Sequence, residues 1–141
     1  MQHVAIMKRS LGYLDKIKDG TKTVESRWYL FKRSPWNRIS KGDTIFFKNS
    51  GMPVDLRCKA SKILQFDNLS EDKVRSILDK YSVEIGIEDK DDFYEGIKDK
   101  KYCILIFLEN MEDIDGFEID KKGFGLMSAW MSLDDIDKIK K

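Results

Sequence analysis

Apolar and polar residues alternate in two short segments near the start of the chain. Residues 3–8 and residues 23–28 follow the two-residue period of a half-buried β-strand. In the second segment, Glu25 and Arg27 lie two residues apart, so a strand presents both side chains on the same face. Lys22 comes directly before this segment, in a tight turn. The pattern predicts two strands, the second of which carries a compact ionic cluster.

Helices are indicated by a longer apolar period and by capping residues. Ser10 is placed to begin a short helix that ends at Gly20. Ser70 precedes a segment whose apolar residues recur at helical spacing, which predicts a longer amphipathic helix. Near the end of the chain, Ser132 and Asp135 have the spacing of a capping box and predict a final helix.

The remaining strands complete a mixed sheet. Residues 44–48 and 56–66 predict a hairpin with a wide loop, and residues 102–108, apolar on both faces, predict a central strand that is covered on both sides. The direct strand-to-strand links disfavour a parallel βαβ arrangement. We therefore expect an α+β protein, a mixed β-barrel with short flanking helices, in one domain that spans residues 1–141.

Composition excludes several classes of protein. No stretch reaches the roughly 20 apolar residues that span a bilayer, and the N-terminus has no signal-peptide core, so we expect a cytoplasmic protein without membrane contact. Cys58 and Cys103 are far apart, which supports neither a zinc site nor a disulfide framework. His3 is the only histidine and is interpreted as a structural residue. We expect no metal and no cofactor.

Charge is distributed unevenly along a chain whose net charge is only +1. Residues 1–66 contain 14 Lys and Arg against 5 Asp and Glu, whereas residues 67–141 contain 12 against 20. Such asymmetry can focus an anionic ligand on one face of a protein. It is equally compatible with two solvated surfaces of opposite sign.

Residues 20–27 also carry a family resemblance. Together with the later segment 42–45, they resemble the Gly-x-Lys-x-x-Glu-x-Arg signature of ASCH domains. The order of the predicted strands is similar to that family along most of the chain. The resemblance implies a PUA-like β-barrel, related to the RNA-binding PUA, EVE and YTH groups, with a cleft for RNA or a modified nucleoside.

The side chains of the cluster suit such a ligand. A carboxylate such as Glu25 accepts hydrogen bonds from base amines, Arg27 can form paired bonds to a phosphate or base edge, and Lys22 supplies a mobile positive charge. The alternative is an exposed ion pair between Glu25 and Arg27, which contributes about 1 kcal/mol at most.

Aromatic and basic residues extend the predicted ligand-binding set. Trp36 follows a proline in a loop that also contains Arg38, and this mixture of aromatic and basic residues is typical of single-strand recognition. Trp130 is predicted to close the pocket or to pack in the core, and Lys48 to contribute a further cation. Trp28 has the opposite strand parity from the cluster and is interpreted as a core residue.

A hydrolase is the alternative function. Some small ASCH proteins resemble amidohydrolases that act on acetylated cytidine and use a lysine, a threonine and a distant glutamate. Lys22 matches that lysine, but Glu25 stands where the resemblance places the threonine, which counts against this reaction. Acid–base catalysis by Lys22 and Glu25, on a modified nucleoside or an RNA phosphodiester, remains the alternative to binding alone.

Overall fold

The computed structural model describes residues 1–125 and 127–141. Its elements, in chain order, are β1 (Gln2–Met7), a 3-10 turn (Arg9–Leu11), α1 (Tyr13–Asp19), β2 (Val24–Tyr29), β3 (Thr44–Asn49), β4 (Val54–Phe66), α2 (Glu71–Ile85), α3 (Lys90–Ile97), β5 (Tyr102–Phe117), β6 (Trp130–Leu133) and a second 3-10 turn (Ile136–Lys138).

The six strands form one mixed sheet in the order β2-β5-β4-β3-β1-β6. β1 and β3 are parallel, and the other neighbouring pairs are antiparallel. The long strand β4 shifts register at three places against β5, and such bulges increase local bending and twist. Among the described residues, the edge strands β2 and β6 do not pair with each other, so the sheet is a half-barrel that stays open along one side. We call this opening the seam.

The buried part of β5 explains how the helices attach to the sheet. Ile104 and Ile106 belong to the apolar cluster inside the half-barrel, with Phe47 of β3. Cys103 and Leu105 face the other way and join the cluster beneath α2 and α3. This confirms the predicted strand covered on both faces, although β5 lies next to the edge strand β2 and continues well beyond residue 108.

The predicted helix termini are right for α2 and partly wrong elsewhere. The Ser70 side chain accepts a hydrogen bond from the backbone N–H of Lys73, as an N-cap does. Gly20 ends α1 with φ of 85°, but α1 begins after Gly12 because Ser10 lies in the preceding 3-10 turn.

The predicted C-terminal helix is wrong. Ser132 lies within β6, where it pairs with His3 of β1, and only a 3-10 turn follows, capped by Asp135. Pairing with β1 provides this segment with backbone partners that a local capping pattern does not reveal. No helix in the described part of the chain is long and apolar enough to cross a membrane.

Loss of the α2 cap is expected to destabilise the protein without altering the sheet. Ser70→Ala removes the acceptor for the Lys73 N–H and should lower the free energy of unfolding by about 1 kcal/mol, whereas Ser70→Asp keeps an acceptor and should change it little. Urea denaturation measures both. Equal stability of Ser70→Ala and the unchanged protein would contradict the assigned cap.

Candidate functional site

Lys22, Glu25 and Arg27 converge into a connected chain of charges at the start of β2. Lys22 Nζ lies 3.2 Å from Glu25 Oε1, and Arg27 Nη2 lies 2.9 Å from Glu25 Oε2. Lys22 and Glu25 are only 2% and 3% exposed, so this is a buried network and not the exposed ion pair of the alternative interpretation.

Lys22 has an acceptor for each of its three ammonium protons. Besides Glu25, its Nζ donates to the backbone carbonyls of Val24 and Ile85, both at 2.7 Å. The ammonium also lies 4.8 Å from the centre of the Tyr13 ring. Burial lowers the pKa of Lys22, while the Glu25 carboxylate opposes that shift. Because a neutral amine would turn a lone pair toward one of these acceptors, the surroundings of Nζ fit the protonated form.

Glu25 is held as a carboxylate by its two cationic neighbours. Burial by itself would raise the pKa of Glu25, but the charges of Lys22 and Arg27, together with their hydrogen bonds, outweigh it and bring the pKa below its ordinary value. Glu25 Oε1 also accepts from the Ser26 backbone N–H at 3.1 Å. Glu25 therefore links a fully buried cation to a cation nearer the surface.

Arg27 crosses the seam. Its guanidinium donates to Ala129 O at 3.3 Å, just before β6, and lies 3.5 Å from Ile6 O in β1. It also stacks 5.1 Å from the centre of the Trp130 ring. Arg27 thus joins the edge strand β2 to the opposite edge of the half-barrel, and Glu25 sets the position of the guanidinium.

A cavity of about 320 Å³ lies at this seam. We call it the seam cavity. Tyr13, Trp28 and Phe93 provide aromatic surface, and Lys8 and Lys100 add positive charge. Lys22, Glu25 and Arg27 are among its lining residues. The seam cavity combines an apolar aromatic wall with a few oriented polar groups, which is typical of small-molecule sites.

Known structures share this architecture. The chain matches no protein-family model, and no curated protein is similar to it in sequence. A point mutant of the ASCH protein from Zymomonas mobilis aligns over 97% of this chain and 93% of its own, with a TM-score of 0.71 and 16% identity. The chain has the fold of an ASCH domain. The ASCH structure from Zymomonas mobilis without that mutation covers 94% of this chain and 87% of its own at a TM-score of 0.70 and 17% identity. The likeness confirms the predicted α+β, PUA-like fold, and the mixed sheet of this chain forms a half-barrel.

Within the ASCH fold, two predicted site residues lie away from the seam cavity. Trp36 packs edge-on against Tyr102, with ring centres 5.1 Å apart, and joins the cluster inside the barrel. Lys48 is buried in the interior strand β3, and its charge adds to the burial that lowers the pKa of Lys121. Packing of the loop on Tyr102 and the interior position of β3 keep these two residues out of the lining of the seam cavity, and their role in ligand binding stays a prediction.

Arg38 and Trp130 line a second cavity, which adjoins the seam cavity at Tyr29 and Ala129. Trp130 is nearly buried, and its Nε1 donates to His3 Nδ1 at 3.1 Å. Trp130 therefore packs in the core and also lines the second cavity, and its role in closing a ligand pocket stays a prediction.

Most of the aromatic wall comes from residues that are far apart in the sequence and were not among the predicted site residues. Tyr13 comes from α1, Phe93 from α3 and Trp28 from β2, so no local motif connects them. Trp28 lies across from Phe93 with ring centres 6.1 Å apart, and its Nε1 donates to Ser26 Oγ. It therefore packs against α3 and still lines the seam cavity. One of these rings could have been suspected from the sequence, because Phe93 lies in the acidic segment 88–99. The short helix α3 in this segment brings Phe93 to the seam cavity.

His3 is a structural residue with partners on both ring nitrogens. Trp130 Nε1 can only donate, so His3 Nδ1 is an acceptor, which Ser132 Oγ also contacts at 2.9 Å. The ring proton therefore lies on Nε2 and is donated to Asp43 Oδ2 at 2.9 Å. Burial lowers the pKa of His3 below 6.5, although Asp43 opposes the shift.

Removing the buried cation Lys22 is expected to lower the stability of the protein strongly. Lys22→Met leaves the Glu25 carboxylate buried with one cation fewer, and should lower the free energy of unfolding by about 3–5 kcal/mol. Lys90→Met, which breaks an exposed pair with Asp79, should cost at most about 1 kcal/mol. Chemical denaturation compares the two. A cost for Lys22→Met as small as that of the exposed pair would contradict the buried network.

Stability is expected to fall on mild acidification because of His3. The unfolded imidazole binds a proton near pH 6.5, whereas the folded pKa lies lower, so the unfolded state binds more protons in the interval between them. Stability is therefore fully present above about pH 6.5 and decreases as the pH falls toward the folded pKa. Denaturation at about pH 7 and about pH 5.5 should show this loss, and His3→Gln should abolish it. The same pH dependence in His3→Gln would rule out this origin.

Proposed function

We propose that this chain binds an unpaired RNA base or a modified nucleoside in the seam cavity. The observation that carries the proposal is the meeting of Arg27 with an aromatic wall in a cavity of about 320 Å³. This volume lies at the lower end of the range for small-molecule sites, about 300–1,000 Å³, and suits a single nucleoside.

The aromatic wall supports recognition of a base by its flat face. Tyr13, Trp28 and Phe93 are all partly exposed, so their rings are neither fully buried nor fully solvated. Base stacking on such rings contributes about 1–3 kcal/mol per base and tolerates different bases. Hydrogen bonds to the base edge then provide selectivity.

Arg27 is the ionic residue best placed to contact the ligand. Its side chain is 13% exposed, compared with 1% for Lys22 and 4% for Glu25. Lys22 compensates the charge of Glu25, and Glu25 orients the guanidinium. We therefore assign ligand contact to Arg27 and a positioning role to Lys22 and Glu25.

These contacts do not favour the alternative hydrolase, acting on a modified nucleoside or an RNA phosphodiester. A general base needs a free lone pair, whereas the Lys22 ammonium is bonded to three acceptors. Glu25, with its pKa lowered, is a poor general acid near neutral pH. Incubation with a modified-nucleoside library followed by mass spectrometry tests this alternative. Product formation that disappears in Glu25→Gln would favour it.

Ligand binding should depend on the cavity wall and not on tryptophans elsewhere. Calorimetric titration with unmodified and modified nucleosides and with short single-stranded RNA, at low salt, should identify ligands. Trp28→Leu removes a stacking surface and is expected to weaken the tightest of them roughly 5- to 150-fold, from about 1–3 kcal/mol of stacking. Arg27→Gln should also weaken it.

Trp36→Phe is the matched control, because it replaces a tryptophan that packs on Tyr102 away from the seam cavity. It should bind as the unchanged protein does, and circular dichroism verifies that each variant is folded. No binding by any ligand of the panel, or equal weakening by Trp28→Leu and Trp36→Phe, would overturn the proposal.

A further inference from the structure

The second cavity has a volume of about 350 Å³ and a more polar character than the seam cavity. We call it the arginine cavity, after Arg33 and Arg38, which line it together with Ser34, Ser128 and Ser132. Tyr29 and Ala129 line both cavities. The two spaces are therefore neighbours, and a ligand longer than one nucleoside can extend from one into the other.

Positive charge in the arginine cavity is not compensated. Among the described residues, Arg33 and Arg38 are its only charged lining residues, with no aspartate or glutamate beside them. Within residues 1–125 and 127–141, neither guanidinium forms an ion pair, whereas Arg57 and Arg75 elsewhere on the surface do. Two unpaired guanidinium groups on a concave surface attract anions and match the geometry of a phosphate group.

The loop that carries both arginines is held in place by the rest of the fold. The Arg33 carbonyl accepts from Trp36 N at 2.9 Å, and the Tyr29 hydroxyl donates to Ser34 O at 3.0 Å. The Arg33 guanidinium also lies 5.6 Å from the centre of the Tyr29 ring. These contacts fix the loop backbone and the Arg33 guanidinium before a ligand arrives, which reduces the entropy lost on binding.

The other lining residues of the arginine cavity, in the part of the chain that the structure describes, are uncharged. His3 lies behind Trp130 and Ser132, and its lowered pKa keeps the imidazole uncharged near neutral pH. Asp43, the partner of His3, also binds the N-terminal ammonium and is not a lining residue of the cavity. The field within the arginine cavity therefore comes mainly from Arg33 and Arg38.

We infer that the arginine cavity is a phosphate subsite, so that the ligand of the seam cavity is a nucleotide, free or within an RNA strand, and not an unphosphorylated nucleoside. This inference rests on the proposed function. It assigns the base to the seam cavity and an adjacent phosphate to Arg33 and Arg38, on the two sides of Tyr29 and Ala129.

The test compares a nucleoside, its monophosphates and a short single-stranded RNA by calorimetry. Arg33→Gln/Arg38→Gln should weaken binding of the phosphorylated ligands at least about tenfold and leave nucleoside binding within about twofold. For the single-stranded RNA, the double variant should also reduce the slope of log affinity against log salt concentration by about 1.4, about 0.7 per cation. Inorganic phosphate should compete with the monophosphate and not with the nucleoside.

Arg57→Gln/Arg75→Gln is the matched control, since it removes the same charge from two ion-paired arginines outside both cavities. Equal effects of the two double variants would mean that only overall charge matters and would overturn the inference. Equal affinity for nucleoside and nucleotide would also overturn the inference. Trp28→Leu tests binding in the seam cavity separately. Loss of that Trp28 dependence would overturn the proposed function itself.

Discussion

The structure depends on a carboxylate that is buried between two cations. Glu25 is only 3% exposed, and transfer of an isolated carboxylate from water to a protein interior costs several kcal/mol. Lys22 on one side and Arg27 on the other compensate this charge, and the backbone carbonyls of α2 and β2 satisfy the remaining ammonium protons. The network adds little net stability compared with apolar packing, but it fixes the position of one guanidinium.

That position matters because the sheet is a half-barrel. β2 is an edge strand, and edge strands present backbone groups that lack a partner strand. Arg27 reaches across the seam to carbonyl oxygens of Ile6 and Ala129, while Phe93 of α3 and Tyr13 of α1 border the same space. The opening in the sheet thus becomes a cavity with both aromatic surface and directed hydrogen-bond donors.

The buried lysine illustrates why a motif residue need not act on the ligand. Lys22 has a lowered pKa, which by itself resembles the signature of a catalytic base. Its three acceptors and its position behind Glu25 indicate instead that it holds the charge network together. In the proposed function, ligand contact is therefore assigned to Arg27, at the outer end of this network, and not to Lys22.

The sequence by itself determined those features that depend on local spacing. The two-residue period placed Glu25 and Arg27 on one face of β2, and the N-cap at Ser70 and the termination at Gly20 follow from backbone groups a few residues away. The resemblance in residues 20–27 pointed to the correct fold for the same reason, since the motif occupies one turn and one strand.

Only the tertiary structure decided which distant side chains share a space. Trp28, Tyr13 and Phe93 meet because strand pairing and helix packing bring β2, α1 and α3 together, whereas Trp36 turns to Tyr102 and Lys48 stays in β3. Ser132 has a capping pattern but forms a strand, because pairing with β1 satisfies its backbone. Contacts between residues far apart in sequence depend on the whole chain closing on itself, and no short pattern encodes them.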